Sequence, residues 1–436
     1  MNVLDEKRSS PELRGYVKER IRKMQDVMAR KGVDVTILMR PENVFYFSNF
    51  NPILISHVPY FILTRDDAFL LVHCIRHDHA VNEGAVDKVL CYGKWGATQA
   101  VAMDAMDAMR ELLGGGPLTV GVEGDYASMN FLDRLKTKLQ VKGYVDIAQD
   151  AVDLRLIKDP HEIKMCRISG ELVDLGVTRA IEALEGGASE AQAATEGQYA
   201  MRNRWHEKYQ QYEVSGFSNS ETADIDTFVV WCMSNERLNY GCDCPTGYVP
   251  MPGDLTMPMS WARIAGYNVE NERTVIVGHV NEERTRAYDA MLRARDNIFR
   301  MLRPGAIFED LYFAAMKEYE DAGFGSILPW PQRPGRMLRP RDGPVHPRVP
   351  LRHQGQQGPP GSRHDPHGGA RPDERRAGRG AQQRHSAHHR GRVRVFDQLP
   401  PGQDHHQKRL NLTGPPLLEA GRSLTQAHES AIKKEL

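Results

Sequence analysis

Residues 253–278 read GDLTMPMSWARIAGYNVENERTVIVG. The run is rich in strand-forming residues, and Gly266-Tyr267 marks a turn or bulge that splits it into two antiparallel strands. Glu270 and Glu272 stand two apart on the second strand, so they share a face. Two carboxyls on one face move each other's pKa apart if they are enclosed. The plainer outcome is that both face water, with Glu272 paired to Arg273.

The text on either side of this hairpin sets its context. Downstream, helices are expected over 281–302 and 307–321, punctuated by Pro304 and Gly305. Upstream lie a strand in DTFVVWCM (226–233) and a helix over 189–204. Before these, an extended linker, DLRLIK, leads into a long helix started by Asp159 and Pro160, with Glu162 in its first turn. Ile163, Cys166, Ile168, Leu172, Leu175 and Val177 form the expected buried face of that helix. The order helix, helix, antiparallel strands, helix, helix is α+β.

The first 150 residues alternate differently. A helix over 11–32 carries Leu13, Tyr16, Val17, Ile21, Met24 and Met28 at helical spacing and ends at Gly32. VTILM is a buried strand, YFILT and AFLLV form a hairpin, and helices over 97–113 and 127–140 flank the strand LTVGVEG. This is an α/β domain. RPENVFYFSNF (40–50) reads as a strand-to-turn connection through Pro41 and Asn43. The expected division is an N-terminal domain over 1–150, a second domain over 151–328 and a tail over 329–436.

Composition excludes several functions. The 57 basic and 57 acidic residues balance, which argues against a nucleic-acid or other polyanion binder. The six cysteines are scattered and no cationic-then-apolar leader opens the chain, so a reducing, cytoplasmic setting is expected. No apolar run approaches the length of a membrane span. Beyond about Pro329 the apolar periodicity stops, and Arg, Gly, Pro, His and Gln take over. Such a composition cannot bury enough apolar surface to offset chain entropy, so a disordered tail is expected. Its His364, His367, His388, His389, His405 and His406 would bind metal only adventitiously, because nothing fixes their geometry.

Three stretches together carry a resemblance: LRLIKDPHEIKMCRIS (154–169), PGDLTMPMSWARIAGYNVENERTVIVG (252–278) and RPGAIFEDLYFAAMKEYEDAGF (303–324). They resemble the creatinase / aminopeptidase P / prolidase family, and RPENVFYFSNF resembles that family's first domain. The resemblance implies a creatinase-type N-terminal domain followed by a pita-bread catalytic domain, assembled as a homodimer. The family's metallopeptidases hold a dinuclear metal on two Asp, one His and two Glu. Here Met259 stands at the first Asp position and Glu270 at the second. A thioether is a poor ligand for hard divalent ions. The expectation is therefore a site with no metal and no cofactor.

Creatinase shares this departure. The resemblance implies Glu272 and Cys242 as catalytic residues, with Glu270, Arg273 and Tyr267 lining the substrate. Cys242 falls at creatinase's catalytic His, and a slip of one or two residues would put Asp243 or Cys244 there instead. The leading expectation is a metal-independent hydrolase of a C–N bond in a small guanidino or amide substrate. An Xaa-Pro aminopeptidase or prolidase acting on dipeptides with two divalent ions such as Mn is the alternative, and a non-catalytic binding member is the third. The family's remaining site residues belong downstream of 328, where the written chain lacks them. Read one nucleotide on, synonymous codons for SRHDPHGGAR (362–371) permit PGMTLTVEPG, and those for WPQ (330–332) permit GHS. A frameshift near residue 329 is therefore expected, with poor solubility and impaired activity in this chain.

Overall fold

The structure is a computed structural model that describes residues 10–53, 57–217, 227–241, 243–325 and the short strand Val393–Arg394. The N-terminal helix, α1 (Pro11–Lys31), starts where Ser10 accepts a hydrogen bond from Leu13 N. It stops at Gly32, whose φ of 66° closes the last turn. Its inner face holds Leu13, Val17, Met24, Val27 and Met28, together with the buried Arg20.

Strand β1 (Val35–Leu38) is buried throughout and runs into α2 (Pro41–Ser48). The expected strand-to-turn connection is thus a helix. Pro41 sits at its first position, where a missing N–H costs nothing, and Asn49 ends it with φ 56°. The hairpin β2 (Tyr60–Thr64) and β3 (Ala68–His73) follows as read. Then come α3 (His77–Glu83), β4 (Val89–Tyr92), α4 (Ala105–Leu113), β5 (Leu118–Val122), α5 (Met129–Lys138), β6 (Val141–Asp146) and α6 (Ala148–Leu154). The six strands form one sheet in the order β4-β3-β2-β1-β5-β6, with β5 and β6 parallel to β1. Two apolar cores, one around Phe47, Phe50 and Phe61 and one around Ile37, Ile62 and Met109, pack against it.

Helix α7 (Pro160–Glu185) opens with a full capping box, in which Asp159 accepts from Glu162 N and Glu162 accepts from Asp159 N. Its buried face differs from the expected one at the start. Met165 is buried, whereas Ile163 points outward at 40% exposure. Helix α8 (Glu190–Lys208) crosses it closely, because Gly197 leaves only 2.6 Å between a would-be Cβ and Gly176 O.

The second sheet consists of β7 (Val229–Ser234), β8 (Leu255–Ile264), β9 (Tyr267–Glu272), β10 (Val275–Val277) and β11 (Val393–Arg394). Strand β8 pairs β7 along one edge, and β9 then β10 along the other; β10 in turn pairs β11. Alternate residues of β8, among them Ser260, Ala262 and Ile264, meet the core shared with α7 and α8. Residues 279–325 belong to a separate compact unit, in which α9 (Glu282–Met301) and α10 (Phe308–Asp321) pack together through Arg293 and Asn297 on Glu318. No helix among the described residues is long and apolar enough to cross a membrane. The expectations for the tail's histidines lie outside the described residues.

Candidate functional site

The face of the second sheet turned away from α7 and α8 carries two transverse rows of side chains. Residues directly opposite on antiparallel strands share a face. Trp231, Met259 and Glu272 therefore line up across β7, β8 and β9, and Val229, Trp261 and Glu270 line up beside them. Trp231 and Trp261 meet edge to face at 5.1 Å between ring centroids. Met259 is buried at 1% exposure, while Glu270 and Glu272 stand at the exposed rim.

The two carboxyls interact. Partial burial, then a hydrogen bond to Glu270 and its negative charge, push Glu272 up to about 7. Protonated Glu272 thus donates to Glu270, and Glu272 can hold or release its proton near neutral pH. A carboxylic acid tuned in this way suits general acid–base work.

The other expected site residues lie elsewhere. Tyr267 opens β9 on the opposite face, packed in the α7–α8 core, with Ser169 donating to its carbonyl at 2.8 Å. Burial raises its hydroxyl pKa, and that hydroxyl donates to Glu162. Arg273 reaches Asn271 Oδ1 and the Glu272 carbonyl, and Asn271 donates in turn to Asp174 at 2.5 Å. Cys242 lies outside the described residues. Asp243 is exposed and accepts from Cys244 N at 2.8 Å and Arg237 Nε at 3.1 Å; the Cys244 contact leads in holding its carboxyl below the ordinary range. The hairpin therefore brings together only Glu270 and Glu272.

Two features escaped the sequence. One is the aromatic wall of Trp231 and Trp261. The other is Glu190, fully buried at the first turn of α8, whose Oε2 accepts from Thr246 N at 3.0 Å, Thr246 Oγ1 at 2.7 Å and Arg237 Nη1 at 2.5 Å. This clamp fastens the loop just after Cys242 to α8. The alternation of β7 and β8 could have signalled the tryptophans.

Comparison with known proteins adds to this geometry. Residues 20–157 match the Creatinase/Prolidase N-terminal domain, and residues 164–352 match Metallopeptidase family M24. An Xaa-Pro dipeptidase from Pyrococcus furiosus is 26% identical over 312 residues, which cover 72% of this chain and 80% of that one. A creatinase from a Bacillus species is 21% identical over 292 residues, covering 66% and 67%. The crystal structure of the prolidase from Pyrococcus horikoshii superposes with a TM-score of 0.58 at 24% identity, covering 71% of this chain and 79% of that one.

These matches correct the expectation that no cofactor is involved, because the matched family is one of metallopeptidases and a matched relative is an Xaa-Pro dipeptidase. The described residues do not by themselves fit the metal that the family implies. No group of three or more His, Cys, Asp or Glu close enough to hold an ion occurs among them. On the site face of the hairpin, Glu270 and Glu272 are the two carboxylates beside a thioether at Met259. Further ligands would have to come from outside the described residues.

Proposed function

Because the chain is a creatinase/prolidase N-terminal domain followed by a domain of metallopeptidase family M24, we propose that it hydrolyses the amide C–N bond of short peptides, with Xaa-Pro dipeptides as the substrate class. The observation that carries this reading is the Glu270–Glu272 pair, two carboxyls on one face of the sheet in line with Trp261 and Trp231. A departing amide nitrogen needs a proton, and Glu272 keeps one available near neutral pH. The tryptophans offer flat apolar surface for a ring such as proline's. A cytoplasmic location and a homodimer belong to the same reading, supported by the scattered cysteines and the family resemblance.

The test is an assay of Xaa-Pro dipeptides with added Mn²⁺ or Co²⁺, with and without chelator, alongside creatine. Chelator-sensitive release of proline supports the proposal. Turnover of creatine and not of dipeptides would overturn it in favour of a guanidino substrate.

Met259 favours a second reading, a family member that binds without turnover, because a buried thioether stands where the family's carboxylate is expected. Tight binding of a dipeptide analogue with no hydrolysis would support it. We also propose that the chain from about residue 329 is read one nucleotide out of phase, on the strength of the codon reading of 330–332 and 362–371. The M24 match runs on to residue 352 in the written frame, which counts against a shift as early as 329; sequencing codons 320–340 in independent clones decides the point. An uninterrupted frame there ends the proposal.

A further inference from the structure

The N-terminal domain holds the base of the hairpin that carries the carboxyl pair. Arg20 of α1 is 3% exposed and donates through Nε and Nη2 to Asp159 Oδ2, at 3.0 and 2.6 Å, and through Nη1 to Tyr46 O at 2.9 Å. Its Nη2 lies 3.8 Å from Glu162 Oε2, and its guanidinium sits 4.5 Å over the Tyr46 ring. Glu162, 2% exposed, accepts from the Tyr267 hydroxyl. Ser169 Oγ donates to Tyr267 O and accepts from Ile264 N, so it bridges the last residue of β8 and the first of β9. The turn between them is gripped from a second side. Ala265 N donates to Glu213 O, and Asn51 of the N-terminal domain donates to Glu213 Oε1 at 2.8 Å.

We propose that Arg20, Glu162 and Tyr267 are positioning residues for Glu270 and Glu272, fixing β9 in the register that puts both carboxyls on the site face. Tyr267 pairs with Ile264, and the register then runs through Trp261–Glu270 to Met259–Glu272. A one-residue slip would turn every β9 side chain to the other face. The carboxyls occupy an edge strand with no partner beyond it among the described residues, so its register rests on β8, the turn and the contacts of its buried face. An apolar trio at these three positions would fill the same space at lower desolvation cost, but it would not select one register. The chain instead joins α1, the cap of α7 and the first residue of β9 through one buried network. Arg20 acts through Glu162, and Glu162 through Tyr267, so none of the three touches substrate.

This inference gains its importance from the hydrolase reading, yet its test does not need turnover. The side-chain carboxyl of Glu272 is titrated by carbon NMR in the full chain, with the resonance assigned from Glu272→Gln. Tyr267→Phe removes only the hydroxyl that meets Glu162, and Arg20→Lys keeps the charge but loses the forked geometry. Each is expected to lower the Glu272 midpoint by about one unit toward the ordinary glutamate value as the pair separates. Tyr60→Phe, at a buried tyrosine of the first domain, is expected to leave it unmoved. An unchanged midpoint in folded Tyr267→Phe overturns the proposal, as does an equal shift in Tyr60→Phe, which would indicate general loosening. If Tyr267→Phe does not fold, Arg20→Lys supplies the same readout. Absence of dipeptide turnover with the expected shifts would count against the substrate assignment alone.

Discussion

Met259 on β8 stands directly opposite Glu272 on β9, with both side chains on the face that carries Glu270. The thioether leaves the pair one carboxylate short of a three-oxygen donor set. Met259→Asp should complete one and raise affinity for Mn²⁺ at least ~10-fold, because hard cations gain most from added carboxylate oxygen. Calorimetric titration of wild type and variant checks this. Without metal, the extra negative charge should push the Glu272 midpoint higher still. Equal Mn²⁺ affinity in the two proteins would show that Met259 does not face the pair's ligand space.

Glu272 also makes stability depend on pH. Its folded-state pKa is raised to about 7 from the ordinary 4.5, so between these values the folded chain binds more protons than the unfolded one. Stability from this group is full below about pH 4.5 and is lost as pH rises through 7. Glu272→Gln removes the titration. The variant should gain melting temperature relative to wild type at pH 8 and show no such gain at pH 4.5. Melting curves at the two pH values check this, and a gain of the same size at both would assign the effect to packing. The carboxyl is partly exposed, so the effect is expected to be modest.

Parts of this fold were legible because they rest on local chemistry. Asp159-Pro160 with Glu162 announces the capping box of α7, and Gly266 announces the hairpin, since both depend on residues within one turn. Helix α2 was misread because nearly all of its eight residues are buried, so it shows no one-sided apolar period, and its Pro41 and Asn43 are common in turns as well. The placement of Tyr267 was within reach of the sequence. It is three residues from Glu270, and strand alternation puts residues an odd number apart on opposite faces. The Trp231–Trp261 contact and the Glu190–Arg237 clamp were less accessible. Each joins residues dozens of positions apart through strand register or loop path, and a Glu in the first turn of a helix ordinarily reads as a solvated partner of the helix dipole.

Arg237 supplies the positive charge on the fully buried Glu190 carboxylate. Truncating it to Ala leaves that carboxylate with only the Thr246 donors, and removing one partner of a buried pair costs about 3 kcal/mol or more. Arg237→Ala should therefore lower the urea midpoint without changing the slope, while Glu190→Gln with Arg237→Ala should recover part of the loss. The loop 243–248 hangs on the same clamp, so the Thr246 amide, which donates to Glu190, should lose hydrogen-exchange protection in Arg237→Ala. An unchanged midpoint would mean that the clamp is open in solution.

Gly266 adopts φ +83°, and a Cβ there would lie 2.7 Å from Phe45 Cε1 and 3.0 Å from Phe217 Cζ. Two costs are thus superimposed in Gly266→Ala. The left-handed backbone alone costs an alanine about 1–2 kcal/mol, and the overlap with Phe45 adds to it, because the two rings pack at 5.2 Å and leave the edge of Phe45 little room to retreat. Phe45→Leu trims the ring and relieves the overlap but not the backbone strain. In a double-mutant cycle read by urea unfolding, the combined variant should therefore lose less stability than the sum of the single losses. Strict additivity would place the whole cost in the backbone and show that the turn does not press on α2.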